Sequence, residues 1–183
     1  MTVSTKTLNH QGFTLIELII TLSIAAILMA IAAPSFSGII QNNRMTTQYN
    51  ELLASLSLAR SEAIKRTQRV TVCQSSTNNS CGGDSSSWHS GWIVFVDENA
   101  DNTRDAGEDI LRANSVLAGN NTLSYGARTR VGFDSDGLAS GGSNGTFTLC
   151  DSRGDSNRQG LVISPTGRAR PAVSGDNVVD CPS

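Results

Sequence analysis

Two arginines near the end of the chain have the chemistry and the spacing of a phosphate-binding site. They lie in the sequence Pro165-Thr166-Gly167-Arg168-Ala169-Arg170-Pro171. In a β-strand, Arg168 and Arg170 would point to the same face, and the planar guanidinium group matches phosphate oxygens. Gly167 carries no side chain, which would let a phosphate backbone approach closely. We therefore predict a phosphate-binding site formed by Arg168, Arg170 and Gly167.

The segment around these arginines has a local excess of positive charge. The formal net charge of the chain is −2, so any attraction to nucleic acid must be local. Ile110 to Pro171 contains seven arginines and four aspartates. The side chains that could stack on bases follow no single-strand binding pattern: Trp88, His89, Trp92 and Tyr125. The predicted site would therefore hold nucleic acid by its phosphates and would not read bases.

The same charges also allow a purely structural interpretation. The arginines could solvate an edge strand, or pair with the aspartates Asp151, Asp155 and Asp176. Arg153 and Arg158 could assist phosphate binding, although no motif includes them. The sequence alone leaves both interpretations open.

An acidic segment from Asp97 to Asp109 has nearly the spacing of a calcium-binding loop. Oxygen-bearing residues stand at positions one, three, five, nine and twelve: Asp97, Asn99, Asp101, Asp105 and Glu108. The sixth position, however, is Asn102 where the motif requires glycine, and strands are predicted on either side. We favour a connection held by Asp and Asn turn chemistry, with no cofactor, and calcium is the alternative.

Four cysteines indicate an oxidising compartment. Cys73, Cys81, Cys150 and Cys181 allow three pairings, and an even number in a small exported domain is typical of disulfides. We favour Cys73 with Cys81, and Cys150 with Cys181 as a C-terminal staple. Free thiols or a metal site are the alternative, but no CxxC motif accompanies the cysteines.

The sequence argues against catalysis. His89 lies beside Ser87 and Ser90 in a serine-rich loop, but the sequence supplies no acid to orient it. We predict no catalytic residues and no enzyme.

The N-terminus combines a polar leader with an apolar helix that contains one carboxylate. Met1 to Gly12 is polar, and an apolar run continues from Phe13 to Ala33, about the length that spans a membrane. Glu17 lies inside this run, where a charge is costly and indicates a function. Cleavage after Gly12 would create an α-amine on Phe13, and that amine, or the amine of a neighbouring subunit, would neutralise Glu17.

The sequence Gly12-Phe13-Thr14-Leu15-Ile16-Glu17 resembles the prepilin peptidase site of type IV pilins and type II secretion pseudopilins. The resemblance implies cleavage between Gly12 and Phe13, methylation of the Phe13 amine, and a recognition role for Glu17. The Gly91-Trp92 strand, the acidic loop after it and a late cysteine resemble the GspH/FimT group, including FimT/FimU-like minor pilins. Gly167-Arg168-Ala169-Arg170 resembles the Gly-Arg-x-Arg motif with which FimT-like members capture DNA during natural transformation.

The remaining pattern predicts an α+β fold with one long N-terminal helix, partly transmembrane, packed on an antiparallel β-meander. Apolar residues spaced by four and three draw a helical stripe: Met45, Tyr49, Leu52, Leu56, Ala59 and Ala63. We divide the chain into a leader (1–12), a membrane and assembly helix (13–34), its amphipathic continuation (35–66) and a β-rich domain (67–183). Six short segments predict strands: Val70–Gln74, Trp92–Val96, Ile110–Ala113, Thr129–Phe133, Thr146–Cys150 and Leu161–Ser164.

Together these features predict a minor pilin that binds DNA, or a structural minor pilin or secretion pseudopilin that primes filament assembly. The expected partners are other pilins, the prepilin peptidase, DNA and the bacterial inner membrane, with the C-terminal domain in the periplasm.

Overall fold

The computed structural model describes residues 12–182, apart from the side chains of residues 32–35. The chain forms two compact units, Met1–Ile40 and Gln41–Ser183. A single helix, α1, spans Leu15–Arg66, so that it begins in the first unit and ends in the second.

Within the first unit, α1 is apolar and exposed. Its large side chains, among them Ile16, Leu22 and Ile31, expose more than half of their surface. By length and composition, α1 is capable of crossing a membrane. Such exposure is costly in water, because transfer of apolar surface from water to an apolar environment is favourable.

The second unit contains two four-stranded antiparallel sheets. The strands are β1 (Arg69–Gln74), β2 (Trp92–Asp97), β3 (Ile110–Asn114), β4 (Thr122–Tyr125), β5 (Arg130–Phe133), β6 (Gly145–Cys150), β7 (Gln159–Ile163) and β8 (Ala169–Pro171). One sheet has the order β3-β2-β1-β5 and the other β4-β6-β7-β8. Short 3₁₀ turns lie at Trp88–Ser90, Ala118–Asn120 and Gly154–Asn157.

The predicted stripe of α1 provides one wall of the core. Met45, Leu52 and Leu56 are at most 2% exposed, and Ala59 and Ala63 are fully buried. Next to the stripe on α1, the Ser55 hydroxyl accepts a hydrogen bond from the indole nitrogen Nε1 of Trp92 at 3.0 Å. The 3.6-residue period places these side chains on one face, so burying them orients the last part of α1 on the sheets.

The α+β class is confirmed, and the strand order differs from a simple meander. β1, β2 and β3 are consecutive neighbours, but β5 returns to pair with β1, Val70 opposite Phe133. The strands β4 and β8 were not predicted. β8 has only three residues, and β4 mixes polar Thr122 and Ser124 with its apolar residues, so neither gives a strong apolar pattern.

Two disulfides join Cys73 to Cys81 and Cys150 to Cys181, the pairing favoured from the sequence. The first closes a hairpin-sized loop, and the second ties the C-terminal tail to β6. Both disulfides and the whole buried core lie at or beyond Met45, so a fragment beginning at Gln41 carries everything that a domain needs to fold alone.

We predict that the Cys150–Cys181 disulfide stabilises this fragment more than Cys73–Cys81 does. The paired cysteines are 31 and 8 residues apart, and chain-entropy theory gives about 3.7 and about 2.5 kcal/mol for such loops. Urea unfolding of the Cys150→Ser/Cys181→Ser and Cys73→Ser/Cys81→Ser fragments measures the two losses. Equal or reversed losses would show that unfolded-chain entropy does not govern these bonds.

Candidate functional site

The arginine motif lies in the tight hairpin that joins β7 to β8. The backbone N–H of Gly167 donates to the Ser164 carbonyl at 2.9 Å, and the Ser164 N–H donates to the Arg168 carbonyl at 3.0 Å. The turn requires φ = +71° at Gly167, a conformation that glycine adopts readily. The turn therefore fixes the position of the Arg168 backbone, and Arg170 follows within β8.

The structure corrects the role that the sequence gave to Gly167. This residue is buried, and a Cβ atom there would collide with the carbonyl oxygen of Gly137. The space beside Gly167 is therefore filled by protein and is not open to a phosphate backbone. The glycine serves the turn and the close approach of Gly137.

Arg170 already has a carboxylate partner. Its Nη1 and Nη2 donate to the two Asp176 carboxylate oxygens at 2.7 and 2.9 Å, a bidentate geometry that strengthens charge-assisted bonds. Asp176 also accepts the Val173 N–H at 2.7 Å. The Arg170 guanidinium, first, and the Val173 N–H hold the pKa of Asp176 down to about 2. The contribution of this pair is present above the ordinary carboxyl pKa and is lost only as pH falls towards about 2.

The other two arginines considered from the sequence are also paired. Arg153 Nη2 lies 2.6 Å from Asp151, and Arg158 Nη1 contacts Asp155 at 3.1 Å and Asp180 at 2.6 Å. The arginine bonds lower the pKa of Asp151. The structural interpretation left open by the sequence therefore describes Arg153, Arg158 and Arg170.

Arg168 differs from these three residues. It is exposed, and within residues 12–182 no carboxylate forms a salt bridge with it. It lines a groove of about 280 Å³ between the β7–β8 hairpin and α1, together with Leu56, Ser57, Arg60, Ser61, Ile64, Gly167 and Ala169. Sequence reasoning missed the helix residues of this groove. The one indication of them in the sequence was that Arg60 lies next to the buried stripe of α1.

Three of the four side chains considered for stacking on bases lie in the core, and the fourth, His89, is half-buried. Trp88, Trp92 and Tyr125 are fully buried. The Trp88 ring meets Phe147 edge to face at 4.9 Å between centroids, and Tyr125 stacks on Phe147 at 3.9 Å. These rings stabilise the core.

Several carboxylate oxygens of the acidic loop accept hydrogen bonds from the loop backbone. Both carboxylate oxygens of buried Glu108 accept N–H groups, from Glu98 at 2.9 Å and from Asp105 at 2.8 Å. Buried Asp97 accepts the Thr71 hydroxyl at 2.8 Å and the Asn102 N–H at 3.0 Å.

The Asn99 amide of this loop donates to Asp101 and Asp105. Among the described residues, no three His, Cys, Asp or Glu side chains are grouped to hold a metal ion. These contacts are those of Asp and Asn turn chemistry.

The serine-rich loop shows no catalytic arrangement. The Ser87 hydroxyl donates to the Asp84 carbonyl at 2.9 Å, and within the described part of the chain Nδ1 of His89 has no hydrogen-bond partner. A nucleophile, base and orienting acid are therefore not assembled at His89.

At the other end of the chain, Glu17 caps its own helix. The Glu17 N–H donates to the Thr14 hydroxyl at 3.3 Å, and the Thr14 N–H donates to the Glu17 carboxylate at 3.5 Å. This reciprocal pair is a capping box. Phe13 is 87% exposed, while the predicted leader before Gly12 lies outside the described residues.

Two crystal structures of the type IV minor pilin FimU from Pseudomonas aeruginosa match the fold. The first has a TM-score of 0.58 and 23% identity, over 74% of this chain and 93% of FimU. The second has a TM-score of 0.53 and 20% identity, over 72% and 94%. The minor pseudopilin EpsH of the Vibrio cholerae Type 2 Secretion System gives 0.48 and 11%, over 73% and 99%. The fold is that of a type IV pilin-like protein.

The family assignment rests on the sequence as well. Residues 48–167, more than half of the chain, match the family described as type II transport protein GspH. Residues 7–33 match the prokaryotic N-terminal methylation motif. No curated protein sequence matches the chain. The chain belongs to the GspH family, whose members are pilin-like subunits of filaments, and carries the methylation motif at its N-terminus.

Proposed function

We propose that this GspH-family subunit is a minor type IV pilin that binds DNA through its C-terminal Gly-Arg-x-Arg motif during DNA uptake for natural transformation. The observation that carries the proposal is Arg168, an exposed arginine without a salt bridge in the part of the chain described, at a rigid hairpin. Arg170 follows it two residues later. Both guanidinium groups would contact phosphate oxygens without reading bases.

The buried aromatic rings support a backbone-only mode of binding. Because Trp88, Trp92 and Tyr125 are not available for stacking, affinity would come mainly from charge and hydrogen bonds, and it would fall steeply with salt. A site with so few phosphate contacts binds weakly, on the order of micromolar at physiological salt. Several subunits in one filament would raise the apparent affinity through multivalency.

Asp176 is an internal competitor for this site. Its carboxylate occupies the same two nitrogens of Arg170 that would hold a phosphate. Because the side chain of Arg170 is 48% exposed, water screens the pair and limits its strength. A phosphate-rich DNA strand would displace Asp176, whereas Arg168 has no such partner to lose.

The N-terminus supports a membrane-anchored and assembled subunit. We propose cleavage after Gly12 by the prepilin peptidase, methylation of the Phe13 amine, and anchoring in the bacterial inner membrane by a single helix. The C-terminal domain would lie in the periplasm. The Glu17 carboxylate would then leave the helix cap and pair with the amine of a neighbouring subunit when other pilins pack against it.

The second candidate function is a structural minor pilin or type II secretion pseudopilin that primes filament assembly without binding DNA. The neutralisation of Arg170 by Asp176 favours it. The two functions differ in whether the soluble domain binds DNA.

We predict that Arg168→Gln/Arg170→Gln removes most of the DNA binding of the Gln41–Ser183 fragment, because two phosphate contacts are lost. A mobility-shift titration over several salt concentrations measures affinity and its salt slope, which should fall by up to about two. Lys65→Gln/Arg66→Gln removes the same charge from the exposed end of α1 and serves as the control. Unchanged binding by the motif variant would disprove the site, and a parent fragment that fails to bind at low salt would favour the structural function.

Asp176→Asn should strengthen DNA binding by roughly two- to fivefold, because it frees Arg170 from a screened ion pair. Glu98→Gln removes one negative charge from the acidic loop, which is not paired with the arginine motif, and should change affinity less. Equal effects of the two substitutions would mean that net charge alone matters, which contradicts direct competition at Arg170.

Glu17→Gln should leave leader cleavage intact but reduce incorporation into filaments as strongly as Glu17→Ala does. The glutamine oxygen can still accept the Thr14 N–H, so this variant keeps the helix cap and loses only the charge. Mass spectrometry of the N-terminus and immunoblots of sheared filaments give the two readouts. Normal incorporation of Glu17→Gln would show that the cap, and not charge neutralisation, is what assembly needs.

A further inference from the structure

We infer that Arg60 of α1 is a further phosphate-binding residue, which shares with Arg168 a groove for the DNA backbone between the helix and the β7–β8 hairpin. This inference rests on the proposed DNA-binding function. It extends the site from a linear motif to two walls that are distant in sequence.

The groove brings two guanidinium groups to one opening. Its helix wall consists of Leu56, Ser57, Arg60, Ser61 and Ile64, and its hairpin wall of Gly167, Arg168 and Ala169. Among the residues that the structure describes, no acidic side chain lines it. Two like charges at one opening repel each other, and a phosphate between them relieves this repulsion.

Arg60 is positioned by one bond and keeps its remaining donors. Its Nε donates to the Gly137 carbonyl at 2.9 Å. Among the described residues, Nη1 and Nη2 have no hydrogen-bond partner, and no carboxylate pairs with the group. One turn further along α1, by contrast, Lys65 and Arg66 both bind Glu62.

Gly137 couples the two walls of the groove. Its carbonyl oxygen accepts from Arg60 and also fills the space beside Gly167. The helix arginine and the turn before Arg168 are therefore held against the same peptide group. Such preorganisation lowers the entropy lost when a ligand binds.

The helix adds a hydroxyl donor to the groove. Ser57 and Ser61 are four residues apart and share one face of α1, and both are exposed. Ser61 donates to the Leu58 carbonyl, while the Ser57 hydroxyl has no partner within the described residues. Serine hydroxyls commonly donate to DNA phosphates beside arginine.

The lining of the groove suits a backbone phosphate better than a base. Within residues 12–182, no aromatic side chain lines it, so a base would gain no stacking there. A DNA strand laid along the opening would place its phosphates at Arg60 and Arg168.

The test compares single substitutions in the Gln41–Ser183 fragment, which carries the complete core, with a labelled DNA duplex of random sequence as the probe. Arg60→Gln should weaken binding roughly three- to tenfold at low salt and reduce the salt slope by about one. Lys65→Gln, which removes the same charge from the same helix outside the groove, should change both values little. Circular dichroism and urea unfolding check each fold.

Ser57→Asp provides a second test that leaves the Arg60–Gly137 bond intact. A carboxylate in the groove should repel phosphate and weaken binding as Arg60→Gln does. Asn50→Asp adds the same charge to an exposed position of α1 outside the groove and is its control.

The outcomes distinguish failure of the Arg60 inference from failure of the proposed DNA binding. If Arg60→Gln and Ser57→Asp bind like their controls while Arg168→Gln/Arg170→Gln fails to bind, the role of Arg60 is wrong and the motif stands. If the parent fragment does not bind the duplex at low salt, DNA binding itself is wrong, and the inference falls with it.

Discussion

The burial of one face of α1 against the two sheets is the interaction on which the rest of this domain depends. Met45, Leu52 and Leu56 fill the core, while Ala59 and Ala63 are fully buried and, being small, let the strands approach the helix closely. Each large apolar side chain contributes about 1.5–3 kcal/mol when buried, which offsets the cost of ordering the chain around it. Because the stripe fixes the rotation of α1, it also decides that Arg60 faces the β7–β8 hairpin.

The C-terminal region is held by a few strong local constraints. The Cys150–Cys181 bond anchors the tail, and Arg158 reinforces it through Asp180. At the hairpin, Gly137 and Gly167 approach so closely that neither a side chain nor a ligand fits between them. These contacts turn a sequence rich in glycine, serine and aspartate into a surface with defined positions for its charges.

Within this surface, some arginines are paired with aspartates and others are not. The acidic loop binds its own backbone through Asp97 and Glu108. Asp151, Asp155 and Asp176 neutralise Arg153, Arg158 and Arg170. Arg60 and Arg168 form no salt bridge within residues 12–182, and both line the groove beside the β7–β8 hairpin. The weak phosphate site proposed there would suit a subunit that acts in a filament, where repetition compensates for affinity.

The features that depend on neighbouring residues could be predicted along the chain: the long helix and its stripe, six of the eight strands of the described residues, the methylation motif with Glu17, and the family resemblance. Periodicity and short motifs are local, and so they can be read along the chain. The folded domain alone shows which sheet each strand joins, which arginines pair with an aspartate, why residue 167 is glycine, and that Arg60 lies beside the β7–β8 hairpin. These depend on contacts between distant residues, such as Arg60 and Gly137, 77 positions apart, and no local pattern encodes which of several equivalent charges will meet.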